Sequence, residues 1–149
     1  MTVAGRVYLV RHADAEPRTT TDEARRLTPP GRARFEVHAR ALSPSLALVA
    51  IRTSPFVRAA ETAALLAAAT GASSAEDPAL ASGASSGGDL LSLARRAPAG
   101  TALVGHNPEL AQAVALAAGR DLPVPPGTVA ALDVAADGTV ALAWIRPPP

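Results

Sequence analysis

Two of the three histidines in this 149-residue chain stand directly after short apolar runs. Val7 to Val10 ends in Arg11-His12, and Thr101 to Gly105 ends in His106-Asn107. A third stretch, Leu46 to Ile51, is followed by Arg52, Thr53 and Ser54, with Arg58 just beyond. Imidazole is a base and a nucleophile near neutral pH, and guanidinium keeps its charge at any working pH. Guanidinium also matches a phosphate bidentately. If the three segments meet, Arg11, His12, Arg58 and His106 make an anion site with a nucleophile in it. Each residue also has a plainer reading. An Arg-His pair arises easily by chance in an arginine-rich chain, and Arg58 could pair with Glu61 at i+3. His106 could cap a helix, although Asn107 suits that better.

The elements around these residues decide whether they meet. Arg6 to Val10 reads as a strand buried on both faces, and Asp14 to Arg26 as a loop. "LTPPGRARFEVHARAL" predicts a helix capped by Thr28, with prolines in its first turn and an end near Leu42. Leu46 to Ile51 predicts a second strand. "TSPFVRAAETAALLAAATG" predicts a helix with Ser54 as cap, Pro55 first and Gly71 as its stop. Ala72 to Gly88 is small and polar and reads as loop, most clearly over Ser82 to Gly88; a short helix over Leu90 to Arg96 follows. "TALVG" is a buried strand, and "HNPELAQAVALAAG" a helix with Asn107 as cap and Pro108 in the first turn. Thr128 to Val134 and Thr139 to Ile145 read as strands joined at Asp137-Gly138, a hairpin signal.

Strands alternating with helices predict an α/β fold: a three-layer α/β/α sandwich with a mainly parallel central sheet and an antiparallel strand or hairpin near the C-terminus. Ligands of such sheets bind beyond the carboxyl ends of the strands, where Arg11, His12, Arg58, His106 and Asn107 would converge. Two helix N-termini, at Ser54-Pro55 and Asn107-Pro108, would point free N–H groups there. The length and the absence of an internal boundary predict one domain over residues 1–149.

Composition removes several alternatives. The chain has no cysteine, which excludes disulfides, cysteine-ligated metal and a thiol nucleophile. All 14 basic residues are arginine, so neither a Walker P-loop nor a Schiff-base lysine is available. The net charge of +1 and the dispersed acids do not suggest a nucleic-acid partner. The apolar runs are too short to span a membrane. No positive segment followed by an apolar one opens the chain, so the cytoplasm is the expected location. Three scattered histidines are too few for a two-metal hydrolase, and no cofactor or metal is expected.

"LVRHADAE", "RRLTPPG", "TSPFVRAAET" and "LVGHNPEL" resemble, in order, the signature segments of the histidine phosphatase superfamily, which also contains the phosphoglycerate mutases. The chain is most similar to the small bacterial phosphohistidine phosphatases, and the resemblance runs from Val7 to the closing "LAWIRPP". It implies that His12 is the nucleophile and forms a phosphohistidine intermediate that water hydrolyses. Arg11 and Arg58 would clamp the phosphoryl oxygens and His106 would stabilise the transferring group. Substrate contacts are then expected from Arg11, Arg58, His106 and Asn107. For His12 to attack through one ring nitrogen, the other must donate to a fixed acceptor such as a backbone carbonyl.

Family members that cleave phosphate esters use a carboxylate to protonate the departing alkoxide and carry a sizeable insertion that helps cover the substrate. Here the stretch between Gly71 and Gly100 is short and offers Glu76, Asp77 and Asp89, while Asp14 and Glu16 lie nearer His12 in sequence. An imidazole leaving group takes its proton near neutral pH and needs less help. The expected substrate is therefore phosphohistidine in a phosphoprotein, with inorganic phosphate as product; the alternative is a small-molecule phosphomonoesterase. Mutase activity is not expected without a lid to keep water from the intermediate. His38, outside the four segments, reads as a surface residue; Arg26 matches a recurrent position before the "LT..G" segment but is equally well explained as a partner for Asp22 or Glu23, and Glu109 reads as a helix-dipole charge.

Overall fold

The structure is a computed structural model that describes residues 3–17 and 21–149. Along the chain run β1 (Val3–Arg11), α1 (Pro29–Leu42), β2 (Ala50–Thr53), α2 (Val57–Thr70), β3 (Ser73–Glu76), α3 (Gly87–Arg96), β4 (Thr101–Gly105), α4 (Glu109–Ala118), β5 (Val129–Ala135) and β6 (Val140–Arg146). The six strands form one sheet in the order β3-β2-β4-β1-β5-β6. β3, β2, β4 and β1 are parallel, β5 is antiparallel to β1, and β6 is antiparallel to β5.

The uninterrupted apolar runs of β1 and β4 arise because helices cover both faces of the sheet. Tyr8, Val10, Ile51, Ala102 and Val104 pack with Phe35 and Ala39 of α1 and Ala63 and Leu66 of α2. Val7, Leu9, Leu103 and Leu132 face the other way, onto Leu90 and Ala94 of α3 and Leu110 and Val114 of α4. Successive residues of one strand thus serve opposite cores, as the period of two requires. The three-layer α/β/α sandwich with its mainly parallel sheet and C-terminal antiparallel hairpin is the fold.

Several local expectations shift. β2 begins at Ala50 rather than Leu46. Ser73–Glu76, within a stretch that reads as loop, is an exposed edge strand held by β2's backbone. α3 starts at Gly87, where Ser86 and Asp89 form a capping box. α2 starts at Val57, two residues late, because Ser54 spends its hydroxyl on the Phe56 N–H before the helix begins. α4 likewise starts at Glu109, one residue past Pro108. The expectations for α1 hold: Thr28 accepts from the Gly31 N–H, and the helix ends at Leu42. In the loop between β1 and α1, residues 18–20 lie outside the described residues.

His38 is a correction. It is buried on the core face of α1 beside Phe35 and Ala39, and its ring meets Phe35 edge-on. Its Nε2 lies 3.0 Å from the Arg146 carbonyl, which can only accept, so the ring is satisfied inside the fold.

Candidate active site

The register of the central strands creates the site. Arg11 lies opposite Gly105 in the β1–β4 pair, so His12 and His106 leave neighbouring strand ends together. The His12 N–H donates to the Gly105 carbonyl at 3.1 Å, and the Ser54 N–H donates to the Val104 carbonyl at 2.9 Å. The two imidazole centroids are 5.2 Å apart. The connection before β5 closes the other side, with the Gly127 N–H shared between the carbonyls of Arg11 and His12. Gly127 has φ +82° and an added Cβ would lie 2.8 Å from Pro148, so this bracing position needs glycine.

His12 is held in one tautomer by two contacts. Its Nδ1 is 2.7 Å from the Ala13 carbonyl, an acceptor only, so Nδ1 carries the proton. Its Nε2 is 3.4 Å from Arg58 Nε, and guanidinium only donates, so Nε2 presents a lone pair. The peptide that holds Nδ1 is itself anchored. The Ala13 N–H donates to Thr62 Oγ1 at 3.0 Å, and Thr62 donates back to the Arg58 carbonyl. The sequence expectation of a fixed backbone acceptor for His12 is matched by this geometry.

Arg58 is buried at the start of α2, with its guanidinium over the Phe56 ring. It does not pair with Glu61. Its Nη1 donates to the Asp22 carbonyl at 2.7 Å and its Nη2 to the Asp22 carboxylate at 3.2 Å. Glu61 instead accepts from the Leu27 N–H and from Arg32, and so ties α2 to the approach to α1. Arg11 donates to the Val124 carbonyl at 2.9 Å, while its Nε is buried without a partner among the described residues. His106 has Nε2 2.8 Å from Ser54 Oγ, and its Nδ1 is likewise buried and unpartnered. Asn107 is half-buried and committed at both ends, donating to the Val124 carbonyl and accepting from the Ala111 N–H. It fastens α4 to the connection that also holds Arg11.

The sequence reading weighed Arg26, but the neighbouring Arg25 belongs to this site. The loop doubles back with the Glu16 N–H on the Arg26 carbonyl and the Thr28 N–H on the Asp14 carbonyl. Arg25 reaches the Asp22 carboxylate at 3.1 Å and Arg26 is exposed. Asp22 therefore bridges Arg25 and Arg58. Gly31 explains the glycine of "LTPPG": a Cβ there would lie 2.5 Å from the Asp14 carbonyl. The first turn of α1 presses onto the loop immediately after His12.

The electrostatics follow from this crowding. Burial pushes His12 down from 6.5 to about 4; the Ala13 carbonyl opposes this, and Arg58, Arg11 and Arg25 add to it. Burial pushes His106 down to about 3, helped by His12, Arg58 and Arg11 and opposed by Asp22. Both imidazoles are neutral at physiological pH. Burial also lowers Arg11, with Asp14 opposing and Arg58 adding. For Asp22 burial acts upward, but the hydrogen bonds and charges of Arg25 and Arg58 outweigh it and keep the carboxyl below its ordinary value. A set of guanidiniums around two neutral imidazoles favours an anion strongly.

The acids considered from sequence are placed as follows. Asp77 caps a short turn by accepting from the Ala79 N–H, and Asp89 completes the α3 capping box. Asp14, Glu16 and Glu76 are exposed at the surface, and Asp14 lies 3.4 Å from the Thr28 hydroxyl. Glu109 is in the first turn of α4 as expected, and it is buried, accepting from the Gly83 N–H. Among the described residues no group of three or more His, Asp or Glu side chains is arranged to hold a metal ion.

The profile of the histidine phosphatase superfamily (branch 1) matches residues 7–84, more than half of the chain. This chain belongs to that superfamily. Its fold is similar to that of a protein provisionally assigned as the phosphohistidine phosphatase SixA of Agrobacterium tumefaciens, with a TM-score of 0.83 and 26% identity over 97% of this chain and 99% of that one. The protein histidine phosphatase SixA complexed with tungstate has a similar fold, with a TM-score of 0.84 and 22% identity over 96% and 97% of the two chains. The fold extends to a phosphoglycerate mutase of Plasmodium falciparum, with a TM-score of 0.69 and 19% identity over 97% and 91%. No curated protein matches the sequence significantly.

Proposed function

We propose that this histidine phosphatase hydrolyses phosphohistidine in a protein substrate, with His12 as the nucleophile. The observation that carries the proposal is the state of His12: neutral, with Nδ1–H fixed on the Ala13 carbonyl and the Nε2 lone pair facing the guanidinium cradle. In the first step Nε2 attacks phosphorus, a P–N bond to His12 forms, and the bond from phosphorus to the substrate imidazole breaks. The departing imidazole takes its proton from solvent near neutral pH. In the second step water attacks the phosphohistidine, which restores neutral His12 and releases inorganic phosphate. Arg11 and Arg58 hold the non-bridging oxygens and His106 stabilises the transferring group, so catalysis rests on positioning and electrostatics. No metal or cofactor enters this scheme.

The placement of the acids favours a leaving group that needs no acid. Asp22, which pairs with Arg58, is held ionised by two arginines, while Asp77 and Asp89 serve caps. An alkoxide would leave such a site slowly. That SixA, a protein of similar fold, forms a complex with tungstate, a tetrahedral oxyanion like phosphate, supports an oxyanion as the ligand.

Phosphate release from a phosphohistidine-carrying protein and from an aryl phosphate, by wild type and His12→Ala, tests the proposal. The expected result is release from the phosphoprotein that far exceeds release from the ester and is lost in the variant. Efficient ester cleavage without phosphoprotein activity would overturn the substrate assignment, and activity surviving in His12→Ala would overturn the nucleophile.

A further inference from the structure

Ser54 is fully buried, and it meets His106 in a way the phosphoryl chemistry alone does not require. Its N–H is fixed on the Val104 carbonyl, and its carbonyl accepts from the Thr53 hydroxyl. The Oγ accepts from the Phe56 N–H at 3.1 Å and lies 2.8 Å from His106 Nε2. A hydroxyl has one proton to give and two lone pairs. The Phe56 N–H uses one lone pair, and no other acceptor for the hydroxyl proton lies within reach among the described residues. If His106 Nε2–H donated to Oγ, the buried serine proton would have nowhere to go, which is costly. If the serine donates to Nε2, every group in the chain Phe56–Ser54–His106 is satisfied.

That accounting leaves the single proton of the neutral ring on Nδ1, the atom that is buried and unpartnered. The His106 and His12 ring centroids are 5.2 Å apart, and Nδ1 is the His106 nitrogen left uncommitted once Nε2 is taken by Ser54. Because His106 stays neutral, its value to an anion depends on which nitrogen bears the proton. A protonated Nδ1 donates to a phosphoryl oxygen, whereas a bare one would present a repelling lone pair. We propose that Ser54 is a positioning residue that fixes the tautomer of His106, holding Nε2 as acceptor and Nδ1–H as donor to the transferring phosphoryl group. The catalytic half of this inference rests on the function proposed above; the tautomer does not.

The test is the ring ¹⁵N spectrum of the intact protein labelled in its histidines, with no substrate present, at neutral pH. His106 is assigned by the signals lost in His106→Asn. In wild type the expected pattern is a pyridine-type Nε2 and a pyrrole-type Nδ1. In Ser54→Ala both signals move toward values averaged between the two tautomers, and Ser54→Thr, which keeps a hydroxyl, restores the wild-type pattern. With phosphoprotein substrate, Ser54→Ala loses about 100-fold in kcat, the lower end of the range for removing one oriented donor, because the ring stays in place and only its tautomer is released. A pyrrole-type Nε2 in wild type overturns the proposal, even if Ser54→Ala does not fold. So does a tautomer unchanged in Ser54→Ala, and unaltered kcat overturns its catalytic half. A correct tautomer in a wild-type protein with no phosphatase activity would instead overturn the function and leave Ser54's role standing.

Discussion

The two site histidines tie the stability of the fold to pH. In the unfolded chain each has its ordinary value near 6.5, while in the fold His12 is held at about 4 and His106 at about 3, burial being the first cause in both. Below 6.5 the unfolded state therefore binds more protons than the folded state, so stability falls as pH falls. The full contribution is present above 6.5 and drains away down to the folded values. At pH 5 each ring has lost about 1.5 pH units of linkage, which is about 2 kcal/mol apiece, or about 4 kcal/mol for the pair. Neither ring is protonated in the fold at that pH, so their mutual repulsion does not enter. His38, also lowered by burial, adds to the slope in the same direction. Urea unfolding of wild type, His12→Asn and His106→Asn from pH 7.5 to 5 at constant ionic strength measures the effect. Wild type should lose about 4 kcal/mol plus the share of His38, and each variant about 2 kcal/mol less than wild type, since His38 is common to all three. The cavity left by a variant lowers its whole curve, whereas removal of a titrating ring changes the slope. A flat wild-type curve, or variant curves parallel to it, would refute buried neutral histidines at this site.

Arg58→Lys keeps a positive charge but loses the planar fork that reaches His12 and Asp22 together, and kcat/KM should drop by at least about 10-fold in the phosphoprotein assay. Thr62→Val preserves shape but strands the buried Ala13 N–H; chemical denaturation should show a loss of about 1–3 kcal/mol, accompanied by a lower kcat because the peptide holding His12 is loosened. Asp22→Asn frees the charges of Arg25 and Arg58, so inorganic phosphate should inhibit about 2- to 5-fold more tightly in a competition assay, the modest size reflecting a partly exposed pair.

The parts of this molecule legible in its sequence are those decided by local chemistry. The doubly buried strands β1 and β4 announce themselves as unbroken apolar runs, and Thr28 and Gly71 mark helix ends through their own side-chain and backbone preferences. What escapes is set by distant partners. Ser73–Glu76 is a strand because β2 offers a free edge, and its four exposed residues carry no pattern of burial. Ser54 has the composition of a cap, yet its hydroxyl group serves the Phe56 N–H and a histidine 52 positions away, and the helix begins only at Val57. Whether Arg25 or Arg26 faces the site depends on the register of the loop's return along Glu16. His38 was open to a better reading, since Phe35, His38 and Ala39 form an i, i+3, i+4 stripe; its polarity hid a hydrogen bond supplied by β6.

The place of the site follows from how the chain leaves two adjacent strands. From β1 it passes to α1, on the face packed with α2; from β4 it passes to α4, on the face packed with α3. Neighbouring parallel strands whose connections depart to opposite faces leave a crevice between their carboxyl ends. His12 and His106 occupy the two lips of that crevice, because Arg11 pairs with Gly105 and each histidine is the next residue. On the far side of β4, β2 brings Ser54 level with Gly105, within reach of His106, and leads into the first turn of α2, where Arg58 closes on His12. One register, carried through three strands, thus places the nucleophile, the second imidazole, its serine and the clamp. A slip of one residue between β1 and β4 would turn the strand's core residues over and carry His12 away from His106 together. The burial of Val7 to Val10 therefore fixes the chemistry as well as the fold: the same apolar contacts that make any other register costly hold the two rings at 5.2 Å.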